Sequence, residues 1–298
     1  MKYTLRQLEV FLATTHFENI TKAAEHLKMS QSAASGALKD LESQFDVRLF
    51  DRVGKRLQTN ASGERVRVRA EALFAQAQEL EDELKQHKSI EHLKIGATLT
   101  IGNYLCVELI HQYMTYSSNT RVKLEVANTS TIAKQILNFD NDLGLIEGEF
   151  HHPDLLIMPW REDSLTCFCA PNHPLAHIKT ITDQHLLNTP WILREQGSGT
   201  RQTFDRAMSG LSSHLNITLE LQHTEAIKRA VEKGLGISCL SEIALKDAFD
   251  RGTLIPLAIP ARDFSRKFYC VIHKQKYLSA GILRWLEICD INLQQRLV

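Results

Sequence analysis

Ile20-Thr21-Lys22-Ala23-Ala24-Glu25-His26-Leu27-Lys28-Met29-Ser30-Gln31-Ser32-Ala33-Ala34-Ser35 reads as two short helices meeting at a tight turn. Ile20, Ala23, Ala24 and Leu27 share one face of the first helix, and the paired alanines let another helix cross closely over it. Lys28-Met29 make the turn. Ser30 is placed to cap the second helix, expected from Gln31 to about Phe45. Along it Ala34, Leu38, Leu41 and Phe45 repeat at helical spacing and form a core stripe. Gln31, Ser32, Ser35 and Lys39 lie on the other side. A helix that enters a major groove needs this arrangement: short donors and acceptors in its first turns, then a cation for phosphate.

Upstream, Thr4-x-x-Gln7 is a capping-box pattern ahead of Leu5, Leu8, Phe11 and Leu12, which mark a third helix. Downstream, Leu49 to Thr59 reads as a hairpin with Val53-Gly54-Lys55 at its tip. Thr21, Lys39, Arg52, Lys55 and Arg56 are expected to hold phosphates while Gln31, Ser32 and Ser35 address bases. Residues 1–60 carry nine Lys or Arg against seven Asp or Glu, and the whole chain carries 35 of each sign. Affinity for DNA would therefore rest on where the cations lie, not on their number.

Leu8-Glu9-x-Phe11, the stretch from Ile20 to Ser35, Leu41-Glu42 and Leu49-Phe50-x-Arg52 together resemble, in order and spacing, the winged helix-turn-helix of LysR-type transcriptional regulators. The resemblance implies a sequence-specific DNA-binding domain over residues 1–60. Two positions depart from the family pattern. Ser32 stands where Pro is usual, and Gly36 stands where a larger residue is common, so the family's base preference does not carry over. A mid-helix glycine also costs about 1 kcal/mol relative to alanine.

From Ala61 to His87 the only glycine is Gly63 and there is no proline. Val66, Ala70, Leu73, Ala77, Leu80 and Leu84 repeat as a heptad seam, with charged residues off it. So narrow a stripe suits pairing with a second copy, and a two-fold protein would meet a two-fold operator. Residues 61–92 are expected to form a dimerisation helix ending in a polar hinge, with tetramers built through the domain behind it. A helix packed on its own domain is the alternative.

Strand-like and helical runs alternate from residue 93 to 298, which implies an α/β domain with mostly parallel sheets. The resemblance continues through Ala170-Pro171-x-His173-Pro174-Leu175, Gly197-Ser198-Gly199-Thr200 and Gly234-Leu235-Gly236-Ile237. It implies two lobes like those of periplasmic binding proteins, about 93–162 with 267–298 and about 163–266, and an effector between them. Thr98, Thr100 and Asn103 follow the first strand. Ser198, Gly199, Thr200 and Arg201 follow the Trp191–Arg194 strand and open a helix. Helix starts offer free N–H groups and partial positive charge, so the pair would suit a small anion. Glu147, at the end of a strand, is expected near the same cleft, accepting from a ligand, pairing with Arg201 or serving backbone donors. The Thr98–Tyr104 stretch is similar to the sulfur- and carbon-assimilation branch of the family, which makes sulfite or sulfate the first effectors to try and small carboxylates the next.

The six cysteines lack the spacing of a disulfide framework or a zinc ribbon, and nothing like a signal peptide or a membrane helix is present, so a reduced cytoplasmic protein is expected. Cys167 and Cys169 read as small hydrophobes. No nucleophile motif, phosphate loop or metal-ligand spacing appears, so neither catalytic residues nor a cofactor are expected. A cytoplasmic solute receptor or an enzyme using the same cleft are the competing functions.

Overall fold

The computed structural model describes residues 2–54, 56–84, 91–116 and 120–291. Contacts divide the chain into two units: Met1–Ile90 with Lys274–Ala280, and Glu91–His273 with Gly281–Val298.

The first unit begins with α1 (Leu5–Phe17), α2 (Ile20–His26) and α3 (Gln31–Gln44). The capping box is formed: Gln7 N donates to the Thr4 hydroxyl at 3.2 Å, and Thr4 N donates to Gln7 Oε1 at 2.9 Å. Asn19 caps α2 and Ser30 caps α3. Leu8, Phe11, Ala24, Ala34, Leu38 and Leu41 make one core. Two residues expected there are half-exposed, Leu5 at 49% and Phe45 at 46%. Leu5 is the first residue of α1, beside its cap. Phe45 lies past the end of α3, where the backbone has left the helix.

Strands β1 (Phe50–Val53) and β2 (Arg56–Thr59) pair antiparallel with Val53 opposite Arg56, and Gly54 follows β1. Helix α4 (Ala61–Leu84) follows. Its heptad seam is split in use. Val66, Ala70 and Leu73 pack into the core of their own unit, whereas Leu80 and Leu84 are 58% and 74% exposed. The first half thus packs on its own unit, as the alternative reading has it, and the second half leaves its seam open. Residues 85–90, which include most of the expected hinge, lie outside the described residues.

In the second unit β3 (Glu91–Thr98) pairs parallel with β4 (Thr120–Ala127) and with β5 (Leu143–Glu147). Strand β6 (Leu155–Cys169) runs unbroken, since the polar run Arg161–Ser164 stays extended and pairs with Ser265–Phe268. The other strands are β7 (Trp191–Arg194), β8 (Ile217–Leu221), β9 (Ser238–Ser241), β10 (Ile255–Leu257) and β11 (Ser265–His273). Strand β11 runs antiparallel to both β5 and β6, with a bulge at Trp160 of β6, beside Pro159, which has no N–H to give the ladder. The sheet order is β10-β6-β11-β5-β3-β4, with β9 also on β6. Among the described residues the parallel ladders are those of the β3–β4–β5 group and β7–β8, with a single parallel bridge between Trp191 and Ile237, less than the alternation of elements implied.

Helices α5 (Leu99–Tyr104), α6 (Cys106–Tyr116), α7 (Thr129–Leu137) and α12 (Ala280–Ile288) belong to the first lobe. Helices α8 (Asp183–Leu187), α9 (Gly199–Ala207), α10 (Thr224–Glu232) and α11 (Glu242–Asp250) belong to the second. Strands β6 and β11 cross between the lobes. All six cysteines are free and buried. Burial pushes the Cys106 thiol up to about 12 and the Cys169 thiol up to about 11, so both stay protonated and behave as small apolar groups. Among the described residues no helix is long and apolar enough to cross a membrane.

Candidate DNA interface and effector cleft

In α3 the core stripe and the polar set separate as the sequence predicts. Ala34, Leu38 and Leu41 are buried, while Gln31, Ser32 and Lys39 are exposed and Ser35 is half-buried. Gln31 Nε2 donates to Ser35 Oγ at 3.1 Å, and the Ser30 and Ser32 hydroxyls lie 3.1 Å apart. These contacts stay within one turn of helix, so the groups can exchange them for an incoming partner at little cost. Thr21 is exposed at the start of α2, with its N–H donating to the Asn19 side chain. Arg52 and Arg56 are exposed on the hairpin, and Arg56 lies 3.7 Å from Glu18 in a pair open to water and therefore weak. Lys55 lies outside the described residues. At Gly36 a Cβ would meet nothing within 4 Å, so packing inside the unit does not require glycine there.

The effector cleft differs from its expectation in an instructive way. Helix α5 begins at Leu99, directly after the first strand, although β-branched Thr98, Thr100 and Ile101 would also suit a strand end. Thr98 and Thr100 are buried at this helix start, but Asn103 falls a turn further on and is exposed. In the second lobe Ser198 caps α9, and Gly199 and Thr200 open it. The two helix starts do face one another, but an anion already lies between them, the Glu147 carboxylate. It accepts from Thr100 N at 2.8 Å, from the Thr200 hydroxyl at 2.9 Å and from Arg266 Nη1 at 2.8 Å. Gly199 makes this approach possible, since a Cβ on it would sit 2.0 Å from the Glu147 carbonyl oxygen.

Glu147 does not pair with Arg201. The Arg201 guanidinium is held by Asp205 at 2.9 Å, by the Arg194 carbonyl at 3.1 Å and by Glu220 at 3.3 Å, so it braces α9. The cation that answers Glu147 is Arg266, whose Nε donates to Asp163 at 2.6 Å and whose Nη1 also reaches the Thr200 hydroxyl at 3.0 Å. Burial alone pushes the Glu147 carboxyl up. Arg266 and Arg194 outweigh it, helped by Thr100 and Thr98, and hold the group at about 2. Arg266 was legible only as an arginine on the buried face of an alternating strand, with Phe268, Cys270 and Ile272 on the same side.

One nitrogen of this cluster remains unused. Arg266 Nη2 is buried and makes no hydrogen bond in the structure. Arg266 also lines a cavity of about 730 Å³ that opens between the lobes and the crossing strands. Gly148, Gln202, Arg206, Arg266 and Lys267 line it, together with the acids Glu149, Glu162 and Asp163. None of the residues expected to bind an effector does. The expected cleft is closed around Glu147, and the open space lies next to it with Arg266 common to both.

Residues 5–64 match the family described as bacterial regulatory helix-turn-helix protein, lysR family, and residues 86–293 match the LysR substrate binding domain. The HTH-type transcriptional regulator YeiE of Escherichia coli strain K12, itself described as uncharacterized, is 41% identical over 97% of this chain and 98% of its own. A full-length OxyR point variant from Pseudomonas aeruginosa has the same fold, with a TM-score of 0.75 over 98% of this chain and 96% of that one at 22% identity. The regulatory domain of CcmR from Synechocystis PCC6803, solved in complex with 2-PG, matches at 28% identity with a TM-score of 0.62, covering 67% of this chain and 95% of that one. The chain is a DNA-binding transcription regulator with an effector-binding domain, not an enzyme, and it belongs to the LysR family.

Proposed function

We propose that the chain reads its operator through Gln31, Ser32 and Ser35, holds phosphates through Thr21, Lys39, Arg52, Lys55 and Arg56, and responds to a small anion bound at Arg266. The observation that carries the effector reading is the buried, unpartnered Nη2 of Arg266, a residue that lines the cavity. A buried donor left unmade costs about 1–3 kcal/mol, and an oxyanion or carboxylate entering the cavity would satisfy it. Thr98, Thr100, Ser198, Gly199 and Thr200 then act by positioning Glu147 and the two helix starts. An anion arriving there meets the nearby negative charge of Glu147, which raises that carboxyl from about 2, so binding strengthens as pH falls. A relative solved with 2-PG in its regulatory domain supports an acidic effector. The exposed Leu80 and Leu84 support pairing of two copies along α4, which would present two heads to a two-fold operator, in the cytoplasm where the DNA is.

Thermal unfolding of the full chain against sulfite, sulfate and small carboxylates tests the effector reading, since a ligand bound only by the folded state raises the melting temperature. A rise with one of them that Arg266→Met removes is expected. A rise that survives Arg266→Met places the anion elsewhere.

A further inference from the structure

Helix α5 is six residues long, and both of its ends are tied to the rest of the effector unit. Near its N-terminus, Thr100 N donates to Glu147. At its C-terminus the Tyr104 hydroxyl donates to Glu225 Oε1 at 2.9 Å and accepts from Lys228 Nζ at 3.3 Å. Glu225 and Lys228 belong to α10, in the other lobe.

Lys228 is only 8% exposed, an unusual place for an ammonium, and its three donors are all used. They reach the Tyr104 hydroxyl, the Ala244 carbonyl at 3.2 Å and Glu225 at 2.5 Å. Ala244 and Glu225 lie in the same lobe as Lys228, so Tyr104 is the one partner that comes from across the cleft. The ammonium also stands 5.8 Å from the centre of the Tyr104 ring. Burial pushes the phenol up. Burial also pushes the amine down, but Glu225 and Tyr104 more than restore it, so at neutral pH a neutral phenol faces a charged amine.

A helix of this length spans about 9 Å and moves as a rigid piece. A displacement of about 1 Å takes the Lys228–Tyr104 contact beyond hydrogen-bond range. We propose that Tyr104, Glu225 and Lys228 form an interlobe latch, and that α5 is the strut through which events at Glu147 open or hold it. Tyr104 is then a positioning residue that never touches the effector. The inference rests on the cleft at Glu147 being where the effector acts, but it is testable with no effector present.

The experiment is amide hydrogen exchange on the full-length protein, comparing wild type, Tyr104→Phe, Glu147→Gln and the double variant. Tyr104→Phe keeps the ring and removes the two cross-lobe hydrogen bonds. Exchange should rise roughly threefold or more in both Leu99–Tyr104 and Thr224–Glu232, while α3 and α12 keep their rates. Glu147→Gln should speed exchange in α10 as well, and should add nothing there once Tyr104 is Phe. If Tyr104→Phe loosens α5 alone, there is no latch. If Glu147→Gln loosens α10 equally with and without Tyr104, the signal runs through Thr200 and α9, and the strut is wrong. Should Glu147→Gln not fold, Tyr104→Phe alone decides: the Thr100 amide must lose protection together with α10, and if it does not, the strut is again wrong. None of these outcomes bears on whether an anion binds Arg266.

Discussion

The recognition helix and the effector cleft use polar side chains in opposite ways. On α3, Gln31, Ser32, Ser35 and Lys39 face outward, and their hydrogen bonds reach no further than one helical turn. In the cleft, Glu147, Thr200 and Arg266 are buried and bond one another across 53 to 119 residues of chain. The first set is ready for a partner and contributes little to the fold. The second set helps hold two lobes together. The surface proposed to bind DNA should therefore tolerate substitution without unfolding, whereas the one proposed to sense should not.

The sharpest way to break this contrast is Arg266→Met. It strands the buried carboxylates of Glu147 and Asp163, and chemical denaturation should show a loss of about 3–5 kcal/mol. A loss under about 1 kcal/mol would mean that the cluster is ornamental and the contrast false.

The next effect is in pH. The Glu147 carboxyl sits at about 2 in the folded protein and near its ordinary value, about 4.3, when unfolded. Its charge therefore stabilises the fold fully above about pH 4.3, by about 3 kcal/mol, and the contribution fades as pH falls towards about 2. At neutral pH this group adds no slope. Comparing wild type with Glu147→Gln in acid checks it: the stability gap should shrink over that window, and a constant gap would sink the assignment.

A smaller change sharpens the other half of the comparison. Gly36→Ala should raise stability by about 1 kcal/mol, because the helix gains and a Cβ there meets nothing. If the glycine is there so that DNA can approach the backbone, the same variant binds DNA more weakly while melting later. Later melting with unchanged DNA affinity would show the glycine to be merely tolerated.

What the sequence made legible follows the same division. The cap at Ser30, the Thr4–Gln7 box, the stripe of Ala34, Leu38 and Leu41, and strand β7 are all short-range patterns, and the fold repeats them. Phe45 was misplaced because periodicity does not say where a helix stops. The continuity of β6 was hidden by Arg161-Glu162-Asp163-Ser164, whose polarity resembles a loop until β11 is laid beside it. Arg266 was missed for the same reason at longer range, since Asp163 lies 103 residues away and Glu147 119. Arg201 was over-read because a cation in the first turn of a helix looks available, and nothing nearby in sequence announces Glu220 or the Arg194 carbonyl as its partners. Sites made within a turn of helix can be read from sequence. Those made by bringing distant strands together need the fold.

The most direct test of the account is the ratio of affinities for operator and scrambled duplex DNA, measured for wild type and Gln31→Ala at one fixed salt concentration. The account predicts that the ratio falls by a factor equivalent to about 1–3 kcal/mol while scrambled-DNA affinity and melting temperature stay put. An unchanged ratio would contradict it and move base recognition off the exposed face of α3.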